Sequence, residues 1–235
     1  MENRRVLERC ASAIGRFRGQ AAFWSALVLS LASWAQSPPA FDVARHRDKA
    51  QAGDARSQAL YGSALLDGDG VAKNEAEGLK WLKLSAAKGD TRGLTILGFA
   101  YLDGQGVPKN AAEALRLLLQ ASEKGYAVAQ AEVAQLLYSG IDVPRNEAEA
   151  VRWAKRAAEQ GDAGGQFILA SAYLQGRGGL PQDVNKGLEY MRKAASNGHP
   201  GARTILEDAE RKRAADKSRG AGESPRKPAA GHESK

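Results

Sequence analysis

Gly53, Gly89, Gly125 and Gly161 stand 36 residues apart, and Gly198 follows after 37. The stretches they open, 53–88, 89–124, 125–160 and 161–197, align along their whole length. The Gly178-Gly179 pair accounts for the one extra residue. This period constrains the fold more than any other property of the chain. Four copies of one unit must fold alike, and each must bury its apolar side against the next.

Each copy reads as two helices. The first, as in Asp90 to Asp103, places Leu94, Leu97, Tyr101 and Leu102 at helical spacing. A small residue recurs in its middle: Gly62, Gly98, Ala134 and Ala170. Glycine inside a helix costs about 1 kcal/mol against alanine, so a small residue kept at one register predicts a close helix crossing there. A glycine turn follows, opened by Gly68, Gly104, Gly140 and Gly176 and continued by Gly70, Gly106 and Gly178. The opening glycines sit where a helix ends in the left-handed conformation. Pro108, Pro144 and Pro181 then block helical continuation. Asn74, Asn110, Asn146 and Asp183 are N-cap residues for the second helix. Glu77, Glu113 and Glu149, three positions on, have the spacing of a capping box, which Lys186 breaks in the last copy. The second helix carries Leu79, Leu115, Val151 and Leu188, then Trp81, Leu117, Trp153 and Tyr190. Aromatics are only 6% of the chain, so small residues must build the core, which suits packed helices.

The ends differ from the body. Residues 36–52 read as a linker and leading cap helix. Residues 198–213 read as a trailing cap helix, with Ile205, Leu206 and Ala209 turned inward and Arg211, Lys212 and Arg213 forming a polar end. Residues 214–235, rich in Lys, Arg, Gly, Ser, Pro and Ala, read as a disordered basic tail that could touch an anionic envelope surface. Residues 1–35 read as a signal peptide. Arg4, Arg5, Arg9, Arg16 and Arg18 lead into an uncharged run from Ala21 to Ala35, which is shorter than the roughly 20 residues a membrane span needs. Cleavage is expected between Ala35 and Gln36, which predicts a periplasmic or secreted protein; an uncleaved anchor is the alternative. The lone Cys10 lies before the cleavage point, so no disulfide framework and no Cys-based zinc site is expected.

The pattern A-Q-x-x-L-G-x-x-Y-x-x-G-x-G-V-P-x-N, continued by A-x-x-W-x-x-x-A-A-x-x-G, resembles that of Sel1-like repeats, relatives of the tetratricopeptide repeats. Leu97-Gly98, Tyr101, Gly104, Gly106, Val107, Pro108 and Asn110 carry the resemblance. Gln130, Pro144, Asn146, Ala150, Trp153 and Ala157-Ala158 extend it. It implies an all-α, right-handed α-solenoid with half-repeat caps. It also implies a non-catalytic scaffold that binds protein or peptide. The family has no shared catalytic residues, and none is assigned.

Other chemistries fit poorly. Ser85-Ala-Ala-Lys88 is an S-x-x-K string of the kind found in β-lactamases and penicillin-binding proteins, but no S-D-N or K-T-G string accompanies it. Ser85 also occupies the register of Ala157 and Ala194, a packing position. A cell-wall-directed enzyme is therefore the alternative reading, alongside an envelope tether acting through the tail. The glycine turns lack the lysine and the flanking strand of a phosphate-binding loop. His46, His199 and His232 are far apart, so no metal site or cofactor is expected, and His46 reads as a solvated residue. Of the net charge of +7, residues 1–35 hold +3 and residues 210–235 hold +4, leaving the body neutral. That argues against a nucleic-acid partner.

Positions that vary among copies on one face of the first helix are free to contact a partner. The fourth, seventh and eleventh residues of each copy lie on one such face. In tetratricopeptide-type solenoids this face lines the concave groove, and the resemblance implies the same here. Arg56, Arg92, Thr95, Phe99, Gln135, Phe167 and Ser171 are the expected partner-binding residues, with Phe99 and Phe167 also able to serve as packing between units.

Overall fold

A computed structural model describes residues 42–222, with side chains through residue 215. Among the described residues there are ten helices and no strand. They are α1 (Val43–Gln51), α2 (Ala55–Asp67), α3 (Glu75–Ala87), α4 (Thr91–Asp103), α5 (Ala111–Glu123), α6 (Ala127–Ser139), α7 (Glu147–Glu159), α8 (Ala163–Gln175), α9 (Val184–Ser196) and α10 (Pro200–Gly222). Helices α2 to α9 form four hairpins, each with a first (A) and a second (B) helix. Every A and B helix has 13 residues, about 20 Å of helix. Each hairpin packs on the next, α1 covers α2, and α10 covers α9.

Local chemistry sets the helix ends. Asp54, Asp90 and Asp162 open three A helices by accepting the backbone N–H of Ser57, Gly93 and Gly165 at 2.7, 2.8 and 2.9 Å. Tyr126 opens α6 with no side-chain cap. Gly68, Gly104, Gly140 and Gly176 close the A helices at φ between +64° and +78°. The next turn position is also left-handed, at Gly70, Gly106 and Gly178. The third copy puts Asp142 there at φ +59°. Asp142 is the one non-glycine residue with positive φ among the described residues.

Asn74, Asn110, Asn146 and Asp183 open the B helices. Their side chains accept from the N–H of Glu77, Glu113, Glu149 and Lys186 at 3.0–3.1 Å. The reciprocal half of a capping box is not made. The backbone N–H of each cap residue instead donates to an A-helix carbonyl: Leu65, Tyr101, Leu137 and Tyr173 at 2.8–2.9 Å. The glutamates are thereby released to other partners. Glu77 accepts from the Trp81 indole at 3.0 Å, Glu113 pairs with Arg116, and Glu149 accepts from the Asn146 amide. The cap residue thus ties the two helices of a hairpin together as well as starting the second.

The main core is continuous from the first hairpin to the fourth, and a second cluster formed by Ala170, Leu174, Met191, Ala194, Ala202 and Ile205 packs the last hairpin against α10. Within the first hairpin the helices cross at glycine. A Cβ at Gly62 would lie 2.9 Å from the Gly78 carbonyl, and one at Gly78 would lie 2.7 Å from the Gly62 carbonyl. Between hairpins, a Cβ at Gly93 would lie 2.2 Å from Ser85 Oγ, and one at Gly165 would lie 2.6 Å from the Ala157 Cβ. The residue ending each B helix also reaches back to the start or the A helix of its own unit. Lys88 donates to the Gly53 carbonyl and Lys124 to the Gly89 carbonyl. Asn197 donates to the Gly161 carbonyl at 3.1 Å, while Gln160 donates to the Gln130 side chain at 2.8 Å.

The trailing helix is longer than the expected 198–213. It runs to Gly222, taking in the start of the segment expected to be disordered. Residues 207–219 are mostly good helix formers with no Gly or Pro, and Glu207–Arg211 forms an i,i+4 pair. The expected signal segment 1–35, its cleavage site and the tail from 223 lie outside the described residues. No described helix is long and apolar enough to cross a membrane.

Candidate partner-binding face

The expected partner-binding residues divide by exposure. Arg56 is exposed, and Arg92, Phe99, Gln135 and Phe167 are half-buried. Thr95 and Ser171 are only 2% exposed and cannot meet a partner, which corrects the expectation for both. Their hydroxyls are spent on their own helices: Thr95 Oγ1 donates to the Thr91 carbonyl at 2.7 Å, and Ser171 Oγ donates to the Phe167 carbonyl at 3.0 Å. Thr95 lies about 60° round the helix from Arg92, off the solvent-facing stripe. Ala59 and Ala131, at the same register, are buried as well.

Phe167 is turned toward the trailing cap. Its ring stacks on His199 with centroids 4.1 Å apart, so it serves the junction between α8 and α10. Phe99 packs beside the main core while keeping part of its ring accessible.

Reasoning from the sequence missed the acidic members of this surface. At the register of Leu60, Ile96 and Ile168, the third copy carries Glu132. Glu132 is half-buried, and among the described residues no hydrogen bond or ion pair reaches its carboxylate. Burial, followed by the nearby Asp103 and Asp162, raises its pKa from 4.5 to about 7. Burial also raises Asp103, opposed by Lys109, and raises Asp162, opposed by the Gly165 and Gly164 N–H groups. The signal available in the sequence was one charged residue in an otherwise aliphatic column.

At the other end, a cavity of about 690 Å³ opens between α1 and α2, lined by His46, Lys49, Ala52, Asp54, Arg56, Ser57 and Leu60. His46 is half-buried here, not solvated as expected, because α1 lays that side against α2.

The alternative chemistries find little geometry. Ser85 is fully buried and its hydroxyl donates to the Ala55 carbonyl at 2.7 Å. A nucleophile in that position would meet no substrate. Trp153 is buried with Arg156 over its ring, and Trp81 meets Tyr61 edge-on, so both are packing residues. Among the described residues no group of three or more His, Cys, Asp or Glu is placed to hold a metal ion.

Comparison with the curated proteins finds no match. Among solved structures, a protective antigen of uropathogenic Escherichia coli with an SLR fold is 31% identical, at a TM-score of 0.62 over 67% of this chain. A Sel1 repeat protein from Oxalobacter formigenes is 29% identical, at 0.64 over 70% of this chain. This chain covers 33% of the first and 65% of the second. A Klebsiella pneumoniae protein described as a sel1 repeat protein, 21% identical at 0.52, covering 66% of this chain and covered over 74% of its own length, shares the fold. The family model described as "Sel1 repeat" matches four times, at residues 55–90, 92–126, 127–162 and 163–199. Each match takes in one A helix, one glycine turn and one B helix, and on that evidence the chain belongs to the Sel1 repeat family.

Proposed function

We propose that this protein is a non-catalytic scaffold that holds a protein or peptide on the face of its A helices and works in the cell envelope after export. The observation that carries the reading is the division of labour within each copy. Recurring residues are consumed by caps, crossings and ties, whereas Arg56, Arg92, Phe99 and Gln135 vary between copies and keep access to solvent. Arg and aromatic side chains are the usual anchors of protein interfaces. Membership of a family of interaction scaffolds supports the same reading. The neutral body favours a protein partner over nucleic acid.

Crosslinking in the cell from position 135, with identification of what is captured, tests the reading. Phe99→Ala together with Arg92→Ala should reduce capture while helicity and melting are kept. Capture unchanged by both substitutions would refute it. Export is tested by sequencing the mature N-terminus, where Gln36 is expected. Retention of Met1 or Glu2 would favour an uncleaved anchor.

A further inference from the structure

This inference rests on the partner-binding reading and names the chemistry of the partner. Glu132 breaks an aliphatic column formed by Leu60, Ile96 and Ile168. A leucine or isoleucine there would complete the pattern without desolvating a charge. A carboxylate instead stands half-buried, with no hydrogen bond or ion pair among the described residues and with two further carboxylates, Asp103 and Asp162, acting on it. Among the described residues, the cation acting on this group of acids is Lys109, beside Asp103. A charge held in that state is costly until an opposite charge arrives. On the preceding A helix, Ile96 takes the register of Glu132 and Phe99 that of Gln135, and both keep partial access to solvent. The face therefore offers one unmet negative point flanked by apolar surface.

We propose that Glu132 receives a single Lys or Arg side chain of an extended partner peptide laid across the A helices, with Ile96 and Phe99 supporting an apolar neighbour of that residue. The three acids are not arranged to hold a metal ion, which favours a side-chain cation over a bound divalent ion.

The test selects random dodecapeptides on the full-length protein and measures each by titration calorimetry. Peptides enriched in Lys or Arg are expected, and changing that residue to Gln should weaken binding at least tenfold. Glu132→Gln and Glu132→Ile should each cause the same loss, and on these variants the Lys or Arg to Gln change should have no further effect. Raising the salt concentration should weaken the wild-type complex more than the variants. Peptides that depend on Phe99 and Arg92 but tolerate loss of Glu132 would overturn the charge assignment and leave the face reading standing. Peptides indifferent to all three residues, or no peptide tighter than about 0.1 mM, would overturn both. Calcium chloride titrated into the full chain should give no heat dependent on Glu132. A Glu132-dependent calcium signal would assign the carboxylates to a metal and overturn the proposal.

Discussion

Phe167 lies flat on His199, with ring planes 12° from parallel and centroids 4.1 Å apart. His199 is 6% exposed, and its Nδ1 accepts the backbone N–H of Ala202 at 3.1 Å, which caps α10. One imidazole thus joins the last hairpin to the trailing helix, and it can accept that N–H only while Nδ1 carries no proton.

Burial lowers the pKa of His199 from 6.5 to about 4. Between those values the unfolded chain binds the proton and the folded chain does not. Stability from this residue is therefore complete above pH 6.5 and is lost as pH falls toward 4, up to about 3 kcal/mol. His199→Asn keeps a capping oxygen and removes the titration. Urea melts at pH 7 and pH 4.5 should differ less for the variant than for the wild type, and an equal difference would contradict the assignment.

Glu132 has the opposite sign. Its pKa is raised in the folded state, from 4.5 to about 7, so the folded chain holds the proton where the unfolded chain has released it. Its contribution is present below pH 4.5 and fades as pH rises through 7. Asp103 and Asp162 shift in the same direction and add to the trend. Glu132→Ile should raise the melting temperature by a few degrees at pH 8 and by less at pH 5. A lower melting temperature at pH 8 would show that the carboxylate is better satisfied than described above.

Gly93→Ala should cost about 2 kcal/mol or more, because the added methyl meets Ser85 Oγ and the Ala86 backbone nitrogen, and the helices must part. Ser85→Ala should cost about 1 kcal/mol for the lost hydrogen bond to Ala55 and leave the fold intact. The same variant decides the enzymatic alternative. Covalent penicillin labelling of the wild type that disappears in Ser85→Ala would revive it, and no labelling of either protein is expected.

Asp142 occupies a left-handed position that glycine holds in the other three copies. Asp142→Gly should stabilise the protein by about 0.5 kcal/mol, since relief of the backbone cost is partly offset by the greater freedom of glycine when unfolded. Denaturant midpoints of the two proteins, at unchanged slope, provide the measurement.

The repeat period, the glycine turns and the B-helix caps were legible because each depends on residues a few positions apart. The aspartates opening the A helices are equally local in origin, although the expected set of caps did not include them. Failure came where a residue's partner lies elsewhere in the chain. The glutamates after the B-helix caps have capping-box spacing, but the N–H they would take is already given to the A helix nine or ten residues earlier. Thr95 shares a face with Arg92 in a helical net, yet only tertiary packing decides that this edge of the stripe is covered. Glu132 lies one position off the three registers that define the expected face. The informative column was the neighbouring one, where a single copy departs from its fellows.

Gln105 donates to the Leu66 carbonyl, Gln130 donates to the Ser122 carbonyl, and Arg177 pairs with Glu147, each fastening a unit to the one before it. The molecule is built like a zip: among the described residues, the helices that pack on one another belong to the same unit or to adjacent ones. Excising one whole 36-residue copy should leave a shorter protein whose stitches re-form across the new junction. Tension applied at the two termini should undo it tooth by tooth in a sawtooth of small, similar events.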